Sequence, residues 1–220
     1  MANNYIDIYC ERESGLFWAE PVNALTNLFF LVSALFLFMM LRQNYGPRFP
    51  YDLGILSVLV ALIGIGSFLF HTFASHWALL ADVIPIMIFQ LTFIYVYSRR
   101  YIGLGRMKSL IPVLTFIIVV ILFSFLPGDL LNGSIGYLPA FLALCCICIY
   151  HWKKDFDGLG LLVGAAILFA LSLTFRSIDG IICDSITVGT HFFWHVLNSI
   201  VLFLSVRSLM FSPKIRQKAG

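Results

Sequence analysis

LGILSVLVALIGIGSFLFHTF, residues 53–73, contains no Asp, Glu, Lys or Arg. A run of this length and character suits the ~20 residues that an α-helix needs to cross a bilayer core. Its polar groups gather at one end, where Ser67 and His71 are four residues apart and so share a helix face. Outward from this stretch, apolar runs give seven candidate spans, at about 21–41, 53–73, 78–97, 109–126, 134–151, 158–175 and 187–206. The 220 residues are 60% apolar and 11% charged, with a mean hydropathy of +0.95, far from the composition of a soluble domain. The expected fold is an all-α integral membrane protein, a seven-transmembrane-helix bundle, because in lipid a helix satisfies its own backbone polar groups. The organisation expected is an N-terminal extracytoplasmic segment (1–20), the helical domain (21–206) and a basic tail (207–220). The polar, acid-containing first residues do not read as a cleavable signal peptide.

Turn residues and charges separate the runs: Gly46-Pro47, Gly103 to Lys108, Pro127-Gly128-Asp129, Lys153 to Gly158 and Asp179-Gly180. Pro85, Pro112 and Pro139 fall within spans, where they read as kinks. With seven spans, twelve of the 14 Lys and Arg residues fall on one face, leaving Arg12 and Arg176 on the other. The positive-inside rule then puts the N-terminus outside and the C-terminus in the cytoplasm. A net charge of +3 distributed in this way follows topology and gives no reason to expect nucleic-acid binding.

Ionisable side chains are costly inside a membrane and mark function. His71 closes the second span, Asp82 lies in the first turns of the third, and His191 and His195 open the last. All four fall at similar depth on the outer side. His191 and His195 are spaced i, i+4 and can chelate one ion. Three neutral imidazoles leave a fourth zinc position open, as in catalytic rather than structural sites. Asp82 is suited to accept and pass on a proton, and Ser67 to hydrogen-bond a substrate carbonyl or the oxyanion that develops from it. His76, five residues from His71, pairs poorly on a helix, and His151 reads as interfacial. Cys145, Cys146 and Cys148 read as packing residues. Cys10 and Cys183, both on the outer face, are either a disulfide or two free thiols. Arg176 and Asp179 read as a local ion pair, and Asn23 and Asn27 as interhelical hydrogen-bond formers.

Ser67-x3-His71-x10-Asp82 followed by His191-x3-His195, on seven spans, resembles the alkaline ceramidases. It also resembles the wider superfamily of membrane-integral zinc hydrolases, which includes adiponectin-receptor-like proteins. Tyr9-Cys10-Glu11, Glu20-x2-Asn23-x3-Asn27, Ile178-Asp179 and Cys183-Asp184 narrow the resemblance to the ceramidase branch. It implies zinc held by His71, His191 and His195, with Ser67 and Asp82 contacting its water. It also implies a Cys10–Cys183 disulfide and a calcium site in the N-terminal segment. Tyr9, through its main-chain oxygen, with Glu11 and Glu20, matches that calcium pattern. Glu13 stands where an asparagine is expected and Ile8 where an aspartate is expected, with Asp7 one residue away.

The function expected is hydrolysis of the N-acyl bond of a ceramide or related N-acyl lipid to a long-chain base and a fatty acid. The alternatives are a zinc hydrolase of another acyl lipid, such as a phospholipid or lipid anchor, and a non-enzymatic seven-span lipid receptor. Compact loops and a short tail favour a bacterial inner membrane over a eukaryotic endomembrane.

Overall fold

In a computed structural model of the chain, residues 5–212 are described. Lys214, Arg216 and Lys218 of the basic tail lie outside them. Among the described residues there is no strand. The helices are α1 (Pro21–Thr26), α2 (Leu28–Tyr45), α3 (Tyr51–Phe73), α4 (His76–Tyr97), α5 (Leu110–Phe123), α6 (Leu138–Lys153), α7 (Leu159–Ile178) and α8 (His191–Leu209). Six helical runs are long and apolar enough to cross a membrane, α1 and α2 counting as one run. The protein is thus of the multi-pass membrane type. With 14 residues, α5 is shorter, about 21 Å against a core of ~30 Å.

The sequence-derived boundaries agree with the helices to within a few residues, but the prolines differ from expectation. Pro139 sits at the first positions of α6, and Pro112 is the third residue of α5. In a first turn the missing N–H has no helical acceptor to lose, so neither residue need kink its helix. Of these three, only Pro85 lies beyond the first turn of its helix, α4.

Side-chain contacts define two ends of the bundle. At one end Arg100 binds Asp52 and Ser212, Tyr101 donates to the Ser208 carbonyl, and Tyr45 donates to the Met210 carbonyl. His151 belongs to this end. It is fully buried, hydrogen-bonded to the Tyr97 hydroxyl and the Asp157 carbonyl, with Tyr101 and Phe156 against its ring. At the other end Cys10 is bonded to Cys183, Arg12 reaches the carbonyl of His71, and Ile6 N–H reaches that of Ala74. The chain leading into α5 leaves the first end, where Arg99 binds the Leu104 carbonyl. It arrives at the second, where Asn132 exchanges hydrogen bonds with Arg176.

Between the ends, Leu37, Leu41, Leu53, Leu56, Leu162 and Leu209 are completely buried. Outside, Leu35, Ile55, Leu80, Leu114, Ile118 and Ile167 are exposed. An apolar exterior over an apolar core is what a lipid solvent selects.

The tightest approach is between α3 and α4. A Cβ at Gly66 would lie 1.9 Å from the Ala81 carbonyl oxygen. One residue further on each helix are Ser67 and Asp82, so this small-residue crossing brings the hydroxyl to the carboxylate. Gly66→Ala must push two backbones apart and should cost about 3 kcal/mol, the upper end of overpacking costs. Gly160→Ala, where a Cβ meets nothing within 4 Å, is the control. Thermal unfolding in detergent should show a clear loss for the first and almost none for the second.

Candidate metal centre

Two helices supply the three imidazoles, and each is held at its end by a different device. α3 stops two residues after His71 because Ala74 adopts a left-handed conformation, φ +45, with its N–H returning to the Phe70 carbonyl. α8 begins at His191, where the Asp179 carboxylate accepts N–H bonds from Thr190 at 2.6 Å and His191 at 2.9 Å. An acidic group at a helix N-terminus satisfies orphan donors and complements the dipole. The same carboxylate accepts the Cys10 N–H at 3.1 Å, so it ties the N-terminal segment to α8. Gly189 precedes it with φ +66, and a Cβ there would meet Asp179 Oδ1 at 2.2 Å. Asp179 therefore caps the histidine helix and does not pair with Arg176. The Arg176 guanidinium turns instead to the Asn132 carbonyl and the Tyr9 hydroxyl, and lies over the Tyr137 and Trp194 rings.

The three imidazoles converge. His71, His191 and His195 are all buried, and each offers a ring nitrogen within 4.8 Å of the others. Ring centroids are 4.7 Å apart for His71–His195 and His191–His195, and 5.2 Å for His71–His191. His71 Nδ1 meets Glu20 Oε2 at 2.5 Å, which leaves Nε2 free. The Thr26 hydroxyl lies 2.8 Å from the Val22 carbonyl, to which it donates, so it accepts from His195 Nδ1 at 2.9 Å. His195 Nε2 and His191 Nδ1 are buried with no hydrogen-bond partner. Buried nitrogens without partners are costly, and a metal ion would satisfy them. A carboxylate or hydroxyl on the far nitrogen is the usual support of a metal-binding imidazole. The donor set therefore fits a borderline metal such as zinc.

Ser67 is buried one turn before His71, and the Asp82 carboxylate lies near the Ser67 hydroxyl, His71 and Arg176. His76 is exposed at the start of α4 and stands apart from the cluster. Below the histidines, an apolar cavity runs between α4, α6 and α8. Tyr137 and Trp194 lie at its head, with Phe89, Phe93, Leu144 and Val201 further down.

The residues expected around calcium make the following contacts. The Tyr9 carbonyl accepts the Arg12 N–H. The two Glu11 oxygens accept the N–H groups of Val22 and Asn23, 2.7 and 2.8 Å away, at the start of α1. Glu20 is shared by Arg12, His71 and the Asn23 amide. Asp7 and Glu13 are exposed. Burial pushes the Glu20 carboxyl up, but the His71 and Arg12 contacts outweigh it and hold it below the ordinary range. Asn23 and Asn27 bond within their own segment, to Glu20 and to the Asn23 carbonyl, rather than across helices.

Sequence reasoning missed four supports. They are Glu20 as the partner of His71, Arg12 as the partner of Glu20, Thr26 beneath His195, and the Tyr9 ring. That ring stacks on His191 at 3.5 Å and 14°. An Arg and a Glu flanking the first apolar run were a usable signal for the first two. A lone hydroxyl and an aromatic gave none.

A helical bundle of membrane type, with a buried three-histidine cluster able to hold a metal beside a carboxylate and a hydroxyl, defines a class of membrane-embedded proteins with a candidate metal centre. The chain belongs to the ceramidase family, whose model matches residues 7–218. Comparison with curated proteins returns no match. The family carries amide-bond hydrolase activity on ceramide, and with it a lipid substrate.

Asp179→Ala leaves three N–H groups without an acceptor, those of Thr190 and His191 buried and that of Cys10 partly so. It should cost about 2–4 kcal/mol in thermal unfolding, given ~1–3 for each unsatisfied buried group with partial relief by water. Metal content should fall with it, because α8 loses its anchor.

Proposed function

We propose that this chain is a zinc-dependent membrane amidase that hydrolyses the N-acyl bond of ceramide-like lipids. The observation that carries the reading is the buried triad of His71, His191 and His195 with two ring nitrogens left unpartnered, in a chain of the ceramidase family. Zinc held by the three imidazoles would supply Lewis acidity and a nucleophile at neutral pH.

The chain's own residues do the rest. Asp82 takes the proton of the attacking water and returns it to the departing amine. Ser67 hydrogen-bonds through its hydroxyl to the amide oxygen as negative charge develops there. Arg176, held over Tyr137 and Trp194, keeps a fixed positive charge beside Asp82. The acyl chain occupies the apolar cavity beneath Tyr137 and Trp194, which places the scissile bond at the level of the histidines.

We further propose seven crossings with the N-terminus outside. Support comes from the path through α5, which joins opposite ends of the bundle, and from the basic residues gathered at the end away from the histidines. A third support is independent of both: the Cys10–Cys183 disulfide belongs in an oxidising compartment. An accessible-cysteine or protease map of each face checks this topology.

Asp82→Ala should lower turnover of ceramide about 10²–10⁴-fold with zinc content unchanged. His191→Ala should lose both zinc and turnover. Elemental analysis alongside a fatty-acid release assay makes the distinction, and a fully active Asp82→Ala protein would overturn the mechanism. Ala143 lines the cavity. Ala143→Phe should shorten the acyl preference, reducing turnover of long-chain ceramides at least ~10-fold more than that of short-chain ones, a range typical of pocket-size discrimination.

A further inference from the structure

We propose that Arg12 is a built-in cation that replaces calcium in the N-terminal segment and, through Glu20, positions His71 in the metal centre. Three hydrogen bonds of the guanidinium end on oxygen. Nε donates to Glu20 Oε1, Nη1 to the Ser14 carbonyl at 3.0 Å, and Nη2 to the His71 carbonyl at 2.8 Å. A carboxylate and main-chain carbonyls are the ligands that calcium gathers. Here a guanidinium gathers them, and its side chain is completely buried.

The oxygens that remain do not make a second site. Calcium takes six to eight of them. The Tyr9 carbonyl and both Glu11 oxygens are occupied by N–H donors, and Asp7 and Glu13 are exposed. A divalent ion placed next to Glu20 would also face the buried Arg12 charge at close range, and like charges repel strongly where water does not screen them. The segment is held instead by the guanidinium, by the Cys10–Cys183 bridge and by the Ile6–Ala74 backbone bond.

The same arginine reaches α3 by two routes. It bonds the His71 carbonyl directly, and its partner Glu20 bonds the His71 ring through the other carboxylate oxygen. Backbone and imidazole of one histidine are thereby fixed by one ion pair. Arg12 touches neither metal nor substrate in this arrangement; it is a positioning residue.

The positioning half rests on the zinc reading, while the calcium half does not. The full chain, purified in detergent, is equilibrated with calcium chloride, desalted, and analysed for calcium and zinc. Thermal midpoints are measured with calcium and with EGTA. The wild type should retain no calcium and give the same midpoint in both. Stoichiometric calcium, or a midpoint that rises with calcium, overturns the replacement.

Arg12→Gln removes the charge and should weaken zinc retention about 10–100-fold, the usual effect of losing outer support of a metal ligand. Arg12→Lys should recover part of it, which a loss of packing alone would not. A folded Arg12→Gln protein with wild-type zinc affinity overturns the positioning role, as does a wild type that binds no zinc. If Arg12→Gln fails to fold, zinc retention in Arg12→Lys decides, with wild-type affinity counting against the role and a partial loss supporting it. No lipid substrate enters either measurement, so a protein inactive on ceramide would defeat the amidase reading and leave this one standing.

Discussion

A carboxylate in the interior of a membrane protein is tolerable only when its charge is met, and Glu20 is met from both sides. Arg12 takes one oxygen; His71 and the Asn23 amide take the other. Removing any of these partners leaves a desolvated charge, which costs more than the pairing itself contributes. Much of the end that carries the histidines depends on this arrangement. It fixes the tautomer of His71, seats the start of α1, and draws the segment before the first crossing down onto the bundle. Thr26 then stands one helical turn beyond Val22, close enough to hold His195. The His71 and His195 rings, on α3 and α8, are oriented by groups from a segment that contributes nothing to the histidine cluster itself.

The second constraint is steric. α3 and α4 approach until the Gly66 backbone touches that of Ala81. α8 is pinned by Asp179 and by a glycine in a conformation that a side chain would not fit. In a lipid environment apolar burial gives helices little reason to prefer one partner over another, so close packing and capping must supply the specificity. Both devices include a glycine within two residues of a proposed functional group: Gly66 beside Ser67, and Gly189 two residues before His191.

The fold was largely legible in the sequence because a bilayer imposes one secondary structure and one length on each crossing. The bounds read from 53–73, 78–97 and 158–175 lie close to α3, α4 and α7. The histidine cluster was legible for a related reason: ionisable residues are so rare in these helices that three imidazoles on one side stand out. What stayed hidden was the partnering of polar groups within short range. Arg176 and Asp179, three residues apart, read as a pair, yet the helix turn sends one toward Asn132 and Tyr9 and the other beneath α8. Glu11 and Glu20 entered through the resemblance as ion ligands, and the backbone N–H groups and guanidinium that they accept from were not foreseen. Spacing along a chain reports which side chains share a face, and it is silent on which of several neighbours wins a charge. Tyr9 is the sharpest case, where the expected contribution was a carbonyl oxygen and the observed one is a ring laid flat on His191.

The bridge between Cys10 and Cys183 spans 173 positions of sequence. Its two halves emerge at opposite ends of synthesis, and every intervening helix must be threaded before they can meet. The histidine pocket is in consequence a last-assembled part, completed only after α8 has arrived to receive the segment that left first. A chain stopped anywhere short of that helix lacks His191 and His195, two of the three imidazoles, so an incomplete molecule has no cluster with which to hold a metal.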